Sequence, residues 1–95
     1  MKCSSIDEVR ENIDRIDSDI IQLMAERAGY VKQAASFKKS STDVKASGRV
    51  EAVIRKVRAK AEEYSLSPDL TEKVYRCMIN GFTDIELDEY NKDRS

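Results

Sequence analysis

The chain has 95 residues, of which 37% are charged and 6% aromatic, with one proline and three glycines. Seventeen basic residues against 18 acidic ones give a formal charge of −1, which disfavours nucleic acid as the main partner, because phosphate binding usually requires a basic excess. Histidine is absent, which excludes histidine-based triads and the common metal sites that contain histidine, and no apolar run reaches the roughly 20 residues of a membrane span. The composition predicts one all-α domain over residues 1–95. We expect a cytoplasmic protein, since the N-terminal segment lacks the apolar core of a signal peptide.

The first predicted helix is unusually long for so short a chain. Ser5 and Glu8 have the spacing of a capping box, and no proline interrupts the pattern before Lys39. Apolar residues recur at helical spacing at Ile6, Val9, Ile13, Ile16, Ile20, Leu23, Met24, Val31, Ala34 and Phe37. A helix from Ser5 to Lys39 would measure roughly 50 Å. The remaining residues are too few to cover such a rod, so we expect it to pack against a second copy of the chain.

Two shorter helices are predicted after a polar loop at residues 39–43. The second begins near Ser47, and the third begins at residues 67–68, where a cap serine precedes a proline, and frays after Tyr90. Their expected inward-facing residues are Val50, Val53, Ile54, Val57, Ala61 and Tyr64, then Leu70, Val74, Met78, Ile79, Phe82 and Ile85.

Charged residues interrupt these apolar stripes at a few positions. Arg27 and Lys38 share the inward face of the first helix, Glu86 follows Phe82 at helical spacing on the third, and Arg49 begins the second. Buried charges are costly unless they are paired or used, so this group indicates a polar pocket for an anionic ligand. The alternative is that the side chains form salt bridges or extend to solvent.

Arg10 lies 17 residues before Arg27, which is about 25 Å along a helix axis. One small substrate cannot touch both residues on a single helix. Arg10 is therefore either an ordinary solvated arginine or a contribution to the site of an antiparallel partner chain.

Several segments together resemble a known family. They are VRENIDRID at 9–17, LMAER at 23–27, YVK at 30–32, FK at 37–38, VKASGRV at 44–50 and the third-helix stretch up to Glu86. This pattern resembles the all-helical (AroQ-type) chorismate mutases over residues 6–90. The resemblance implies an intertwined helical homodimer with sites shared between chains, a small dicarboxylate substrate, and no metal or cofactor.

The resemblance also implies a role for individual residues. Arg10 from the partner chain and Arg27 would bind the substrate carboxylates, and Arg49 would hold the ring-side groups. Lys38 and Glu86 would be the catalytic pair at the breaking ether bond, with Glu86 standing where many members have glutamine. The remaining substrate-binding positions would be Val50 and Phe82.

The sequence departs from ordinary chorismate mutases at two positions of the second-helix region. Those enzymes commonly carry a glutamate directly after the arginine and an acidic residue near the loop end, whereas this chain has Val50 and Ala46. Both resemble the isochorismate pyruvate-lyase branch, which we therefore favour over chorismate mutase itself. Two further candidates remain open, namely an enzyme that acts on aminochorismate and a non-catalytic helical dimerisation or regulatory module.

Overall fold

The computed structural model describes residues 2–38 and 48–94. Within the second range, it describes side chains as far as Lys92. Three α-helices follow in chain order: α1, Ile6–Ala35; α2, Gly48–Glu63; and α3, Pro68–Arg94. No strand occurs within the described ranges, which confirms the all-α fold class. The predicted loop at 39–43, Ala46 and Ser47 lie outside the described residues. The chain divides into two compact units, Met1–Tyr30 and Val31–Ser95.

Two serines cap the start of α1. The Glu8 N–H donates to Ser5 Oγ at 3.1 Å, as the predicted capping box requires. The Glu8 carboxylate, however, accepts from the Ser4 N–H at 3.0 Å and from Ser4 Oγ at 2.7 Å rather than from Ser5. The hydrogen bond from the Ser4 hydroxyl lowers the pKa of Glu8.

The end of α1 was predicted wrongly, because the helix stops at Ala35 and not at Lys39. The next three N–H groups donate to carbonyls only three residues back, ending with Lys38 N–H to Ala35 O at 3.2 Å. The Ser36 hydroxyl also donates to the Gln33 carbonyl at 2.8 Å, which therefore accepts from both the N–H and the hydroxyl of Ser36. Lys38 is therefore held just beyond the helix rather than on its face.

The first unit consists of α1 up to Tyr30, and its predicted apolar stripe is exposed in the single chain. Ile13 is 50% exposed, Ile16 44%, Ile20 49% and Leu23 63%. The helical period was predicted correctly, but the stripe has no cover within this unit. Large apolar residues left at this exposure on one helix face are typical of an interaction surface.

The second unit contains a hairpin of α2 and α3. The Leu66 N–H donates to Ala61 O at 2.8 Å and the Ser65 N–H donates to Glu62 O at 3.1 Å, which is the Schellman pattern that ends a helix. Ser65 has a φ of 58°, the left-handed conformation that this pattern requires. The Leu70 N–H then donates to Ser67 Oγ at 3.2 Å, so Ser67 caps α3 as predicted.

The core of the second unit is small. Among its described residues, the buried apolar ones are Ala35, Ile54, Ala61 and Phe82. Three residues near the turn between α2 and α3 were predicted to face inward, and this prediction is wrong for the single chain. Tyr64 is 77% exposed, Leu70 51% and Val74 53%. Tyr64 follows the end of α2 instead of lying within it.

The predicted fraying after Tyr90 was also wrong, because α3 continues to Arg94. Neither glycine nor proline occurs between these residues to stop the helix.

Candidate active site

Lys38 and Glu86 meet in the second unit, although 48 residues separate them in the sequence. Lys38 Nζ lies 3.8 Å from Glu86 Oε2, and the two side chains are 35% and 12% exposed. Glu86 points into the unit from α3, whereas Lys38 comes from the segment that follows α1. The early end of α1 therefore does not separate this cation from the carboxyl group.

The Oε2 atom of Glu86 is fully buried, and no donor in the described part of the chain lies within hydrogen-bonding distance of it. The Lys38 ammonium group at 3.8 Å is an ion-pair partner but is too distant for a direct hydrogen bond. A buried polar oxygen with unused hydrogen-bonding capacity is costly. The arrangement suits a polar ligand atom that takes up this capacity.

An apolar side chain lies close to Glu86 on the same helix. Phe82 lies one helical turn before Glu86 on α3 and is only 9% exposed. On α2, Val50 is half-buried, whereas Arg49 is exposed in the first turn of the helix. The second unit thus holds five of the seven predicted site residues, and it brings Lys38 and Glu86 into direct proximity.

Arg10 and Arg27 belong to the first unit and lie on the same helix. Arg10 is exposed and Arg27 is half-buried. Because α1 is helical throughout this stretch, the two residues are about 25 Å apart along its axis. A single chain cannot present both to one small dicarboxylate.

A set of ion pairs that the sequence analysis missed joins α2 to α3. We call it the charge ladder, and its members are Glu51, Arg58, Asp69, Glu72 and Arg76. Arg76 donates to both carboxylate oxygens of Glu51, at 2.9 and 3.0 Å, and through Nε to Glu72 at 2.8 Å. Arg58 donates to Glu72 at 2.8 Å and to Asp69 at 3.0 Å.

The charge ladder sets the ionisation of its own members. The Arg76 guanidinium group holds the pKa values of Glu51 and Glu72 below their ordinary value. Hydrogen bonding to Glu51 raises the pKa of Arg76, and hydrogen bonding to Asp69 raises that of Arg58. One of these ion pairs could have been predicted from the sequence, since Glu72 and Arg76 are four residues apart, the spacing at which charged side chains pair on a helix.

The charge ladder has a consequence for the candidate site. Glu51, the carboxylate in the first turn of α2, is bound by Arg76 of α3. Glu51 follows Val50 directly, and its carboxylate is already bound within the hairpin.

The candidate site holds a cation and a carboxyl group. Within the described residues, no group of three Cys, Asp or Glu side chains is arranged to hold a metal ion. A fixed cation can stabilise negative charge that develops on an oxygen. Across the described ranges, no helix has the length and apolarity that crossing a bilayer demands.

Comparison with known proteins agrees with this chemistry. Residues 9–87 match the family described as Chorismate mutase type II. The chain is also 33% identical over 92 residues to a Pseudomonas aeruginosa protein named Isochorismate pyruvate lyase, and the match covers 97% of this chain and 91% of that relative. The chain therefore belongs to the chorismate mutase type II family and is an enzyme of that pericyclic kind.

Proposed function

We propose that the protein is an isochorismate pyruvate-lyase, which converts isochorismate to salicylate and pyruvate. The relative named Isochorismate pyruvate lyase supports this substrate, and so does Val50, where a mutase would carry the hydroxyl-binding glutamate. The single observation that carries the proposal is the approach of Lys38 Nζ to the buried Glu86 Oε2 at 3.8 Å.

Atom balance defines the reaction that this pair must assist. The ether oxygen of isochorismate leaves with the enolpyruvyl group and becomes the ketone oxygen of pyruvate. The enolpyruvyl methylene must gain one hydrogen to become a methyl group, and the ring must lose one to become aromatic. One hydrogen therefore passes from ring to methylene as the ether C–O bond breaks. No nucleophile or external proton is required.

The proposed roles follow from that balance. Negative charge grows on the ether oxygen as the bond breaks, and Lys38 stabilises it electrostatically. Glu86, the ion-pair partner of Lys38 at 3.8 Å, orients the ammonium group toward the same oxygen. Arg27, Arg49 and Arg10 of the partner subunit hold the carboxylates and the ring in the reactive conformer. Val50 and Phe82 supply the apolar surface against which the ring lies.

The partner chain is proposed from the exposed stripe of α1. The stretch of the stripe from Ile13 to Met24 has its midpoint between Ser18 and Asp19, and Ile6 is a further exposed residue before it. A twofold axis at this midpoint would pair two antiparallel copies of α1 and cover the apolar residues of both. The midpoint of positions 10 and 27 is the same, so the axis would bring Arg10 of the partner subunit to the level of Arg27. Residues 1–95 would act as one domain within this dimer.

Two variants test the dimer by light scattering. Ile16→Glu introduces a charge into the exposed stripe, and we expect it to yield monomers without lyase activity. Ile21→Glu is the matched control, because Ile21 is 66% exposed and lies about 100° around the helix from Ile20. A wild-type protein that remains monomeric at high concentration would contradict the shared site.

Product analysis tests the activity. The purified protein is incubated separately with isochorismate and with chorismate, and salicylate, pyruvate and prephenate are quantified. Faster formation of salicylate and pyruvate is the expected result. Dominant formation of prephenate would instead establish chorismate mutase activity, which the family match favours as the second candidate. Turnover of neither substrate would overturn both, and an aminated substrate would be tested next. A cytoplasmic location is proposed with this function.

A further inference from the structure

Arg76 occupies the end of the charge ladder that lies nearest the candidate site. On α3 it precedes Phe82 by six residues and Glu86 by ten, which corresponds to roughly 9 Å and 15 Å along the axis. The other end of the ladder, at Asp69, lies in the first turn of α3. The contact between Arg76 and Glu51 is therefore the ladder's ion pair closest to the reacting groups.

The partner of Arg76 lies in the first turn of α2. Glu51 follows Arg49 by two residues and Val50 by one, and both of these are proposed substrate contacts. The first turn of a helix is easily frayed, because its initial N–H groups have no acceptors within the helix. A planar guanidinium group bound to both oxygens of Glu51 restrains this turn in direction as well as in distance.

We propose that Arg76 is a positioning residue that fixes the first turn of α2 through Glu51. It thereby holds Arg49 and Val50 at their places relative to Phe82 and Glu86 of α3. Arg76 touches no substrate itself. This inference rests on the proposed function, since it concerns the placement of residues that bind the ring.

The charge ladder provides a matched control for this proposal. Arg58, like Arg76, donates to two carboxylates, shares Glu72 with it and joins the same two helices. The two side chains are exposed to similar extents, 37% and 41%. Arg58 lies two helical turns beyond Glu51, away from Arg49. A general loss of hairpin stability would therefore affect Arg58 and Arg76 variants alike, whereas a positioning role would distinguish them.

The experiment compares Arg76→Gln with Arg58→Gln in the full-length protein. For Arg76→Gln we expect KM to rise about fivefold with kcat changed less than about twofold, because interactions that hold the substrate before and during reaction are lost equally. Arg58→Gln should change both constants less than about twofold at a comparable loss of Tm. Arg76→Lys, which keeps the charge but not the planar fork, should give an intermediate KM.

Amide hydrogen exchange supplies a readout that does not depend on activity. The amides of residues 52–55 donate to carbonyls of the first turn of α2, so they report its opening. We expect exchange there to be about threefold faster in Arg76→Gln and unchanged in Arg58→Gln.

Equal exchange in the two variants, or a KM increase shared by both, would overturn the positioning role. Failure of the proposed function is separate, because it would appear in the wild-type protein as turnover of neither substrate. In that case the exchange measurement still decides whether Arg76 fixes the first turn.

Discussion

Replacement of Lys38 by alanine separates a catalytic role from a structural one. If Lys38 stabilises charge on the ether oxygen, its loss should lower kcat by about 10²–10³-fold, the range found when one preorganised donor is removed from a developing oxyanion. The assay follows salicylate fluorescence and pyruvate release from isochorismate. The dimer, measured by light scattering, should remain intact because the change lies outside the exposed stripe of α1.

The cost in stability can be worked out from the geometry. Two unit charges 3.8 Å apart attract by about 4 kcal/mol at an effective dielectric constant near 20, and by about 1 kcal/mol in bulk water. The Lys38 side chain is 35% exposed, so the net loss should lie near the lower figure, about 1–2 kcal/mol. For a domain of this size, each 1 kcal/mol corresponds to roughly 4–8 °C in Tm.

Lys60→Ala is the matched control, because Lys60 Nζ pairs with Glu63 Oε2 at 3.3 Å on the surface, where both side chains are about two-thirds exposed. It removes the same charge and one ion pair, yet it should leave kcat unchanged and Tm within a few degrees. The catalytic reasoning would be refuted if Lys38→Ala retained activity within about tenfold of wild type. An activity loss that merely followed the unfolded fraction would refute it as well.

Three further predictions concern Glu86, local structure and pH. Glu86→Ala should lower kcat by about tenfold or more, because Lys38 loses the carboxylate that orients its ammonium group; an unchanged kcat would exclude this role. Ser65→Gly should raise stability by about 0.5–1 kcal/mol, since glycine adopts the φ of 58° without strain, and Ser65→Val should lower it in thermal melts. Stability should fall on acidification below about pH 4.5, because Glu51 and Glu72 have folded-state pKa values below 4.5. Their contribution to the free energy of unfolding is complete above that pH and is lost as pH falls through the lowered pKa values. Tm measured from pH 6 to 3 should show this decline, and a Glu51→Gln, Glu72→Gln double variant that declines equally would contradict the assignment.

The sequence predicted the structure correctly where interactions between neighbouring residues determine it. The capping serines Ser5 and Ser67 mark the starts of α1 and α3, because a side-chain acceptor close to free N–H groups acts within one turn. The period of the apolar residues predicted three helices, and the spacing of Arg10 and Arg27 on one helix required a second chain for any shared role. The family was visible because several such local patterns keep their spacing along the chain.

Tertiary structure decided which distant residues meet. The early end of α1 at Ala35 places Lys38 beyond the helix, so its approach to Glu86 depends on packing in the second unit and not on a helical face. The pairing of Glu51 with Arg76, 25 residues apart, likewise depends on the register between α2 and α3. Periodicity describes which side of its own helix a residue occupies. It carries no information on which residue of another helix lies opposite, because that is set by the contacts of both helices together.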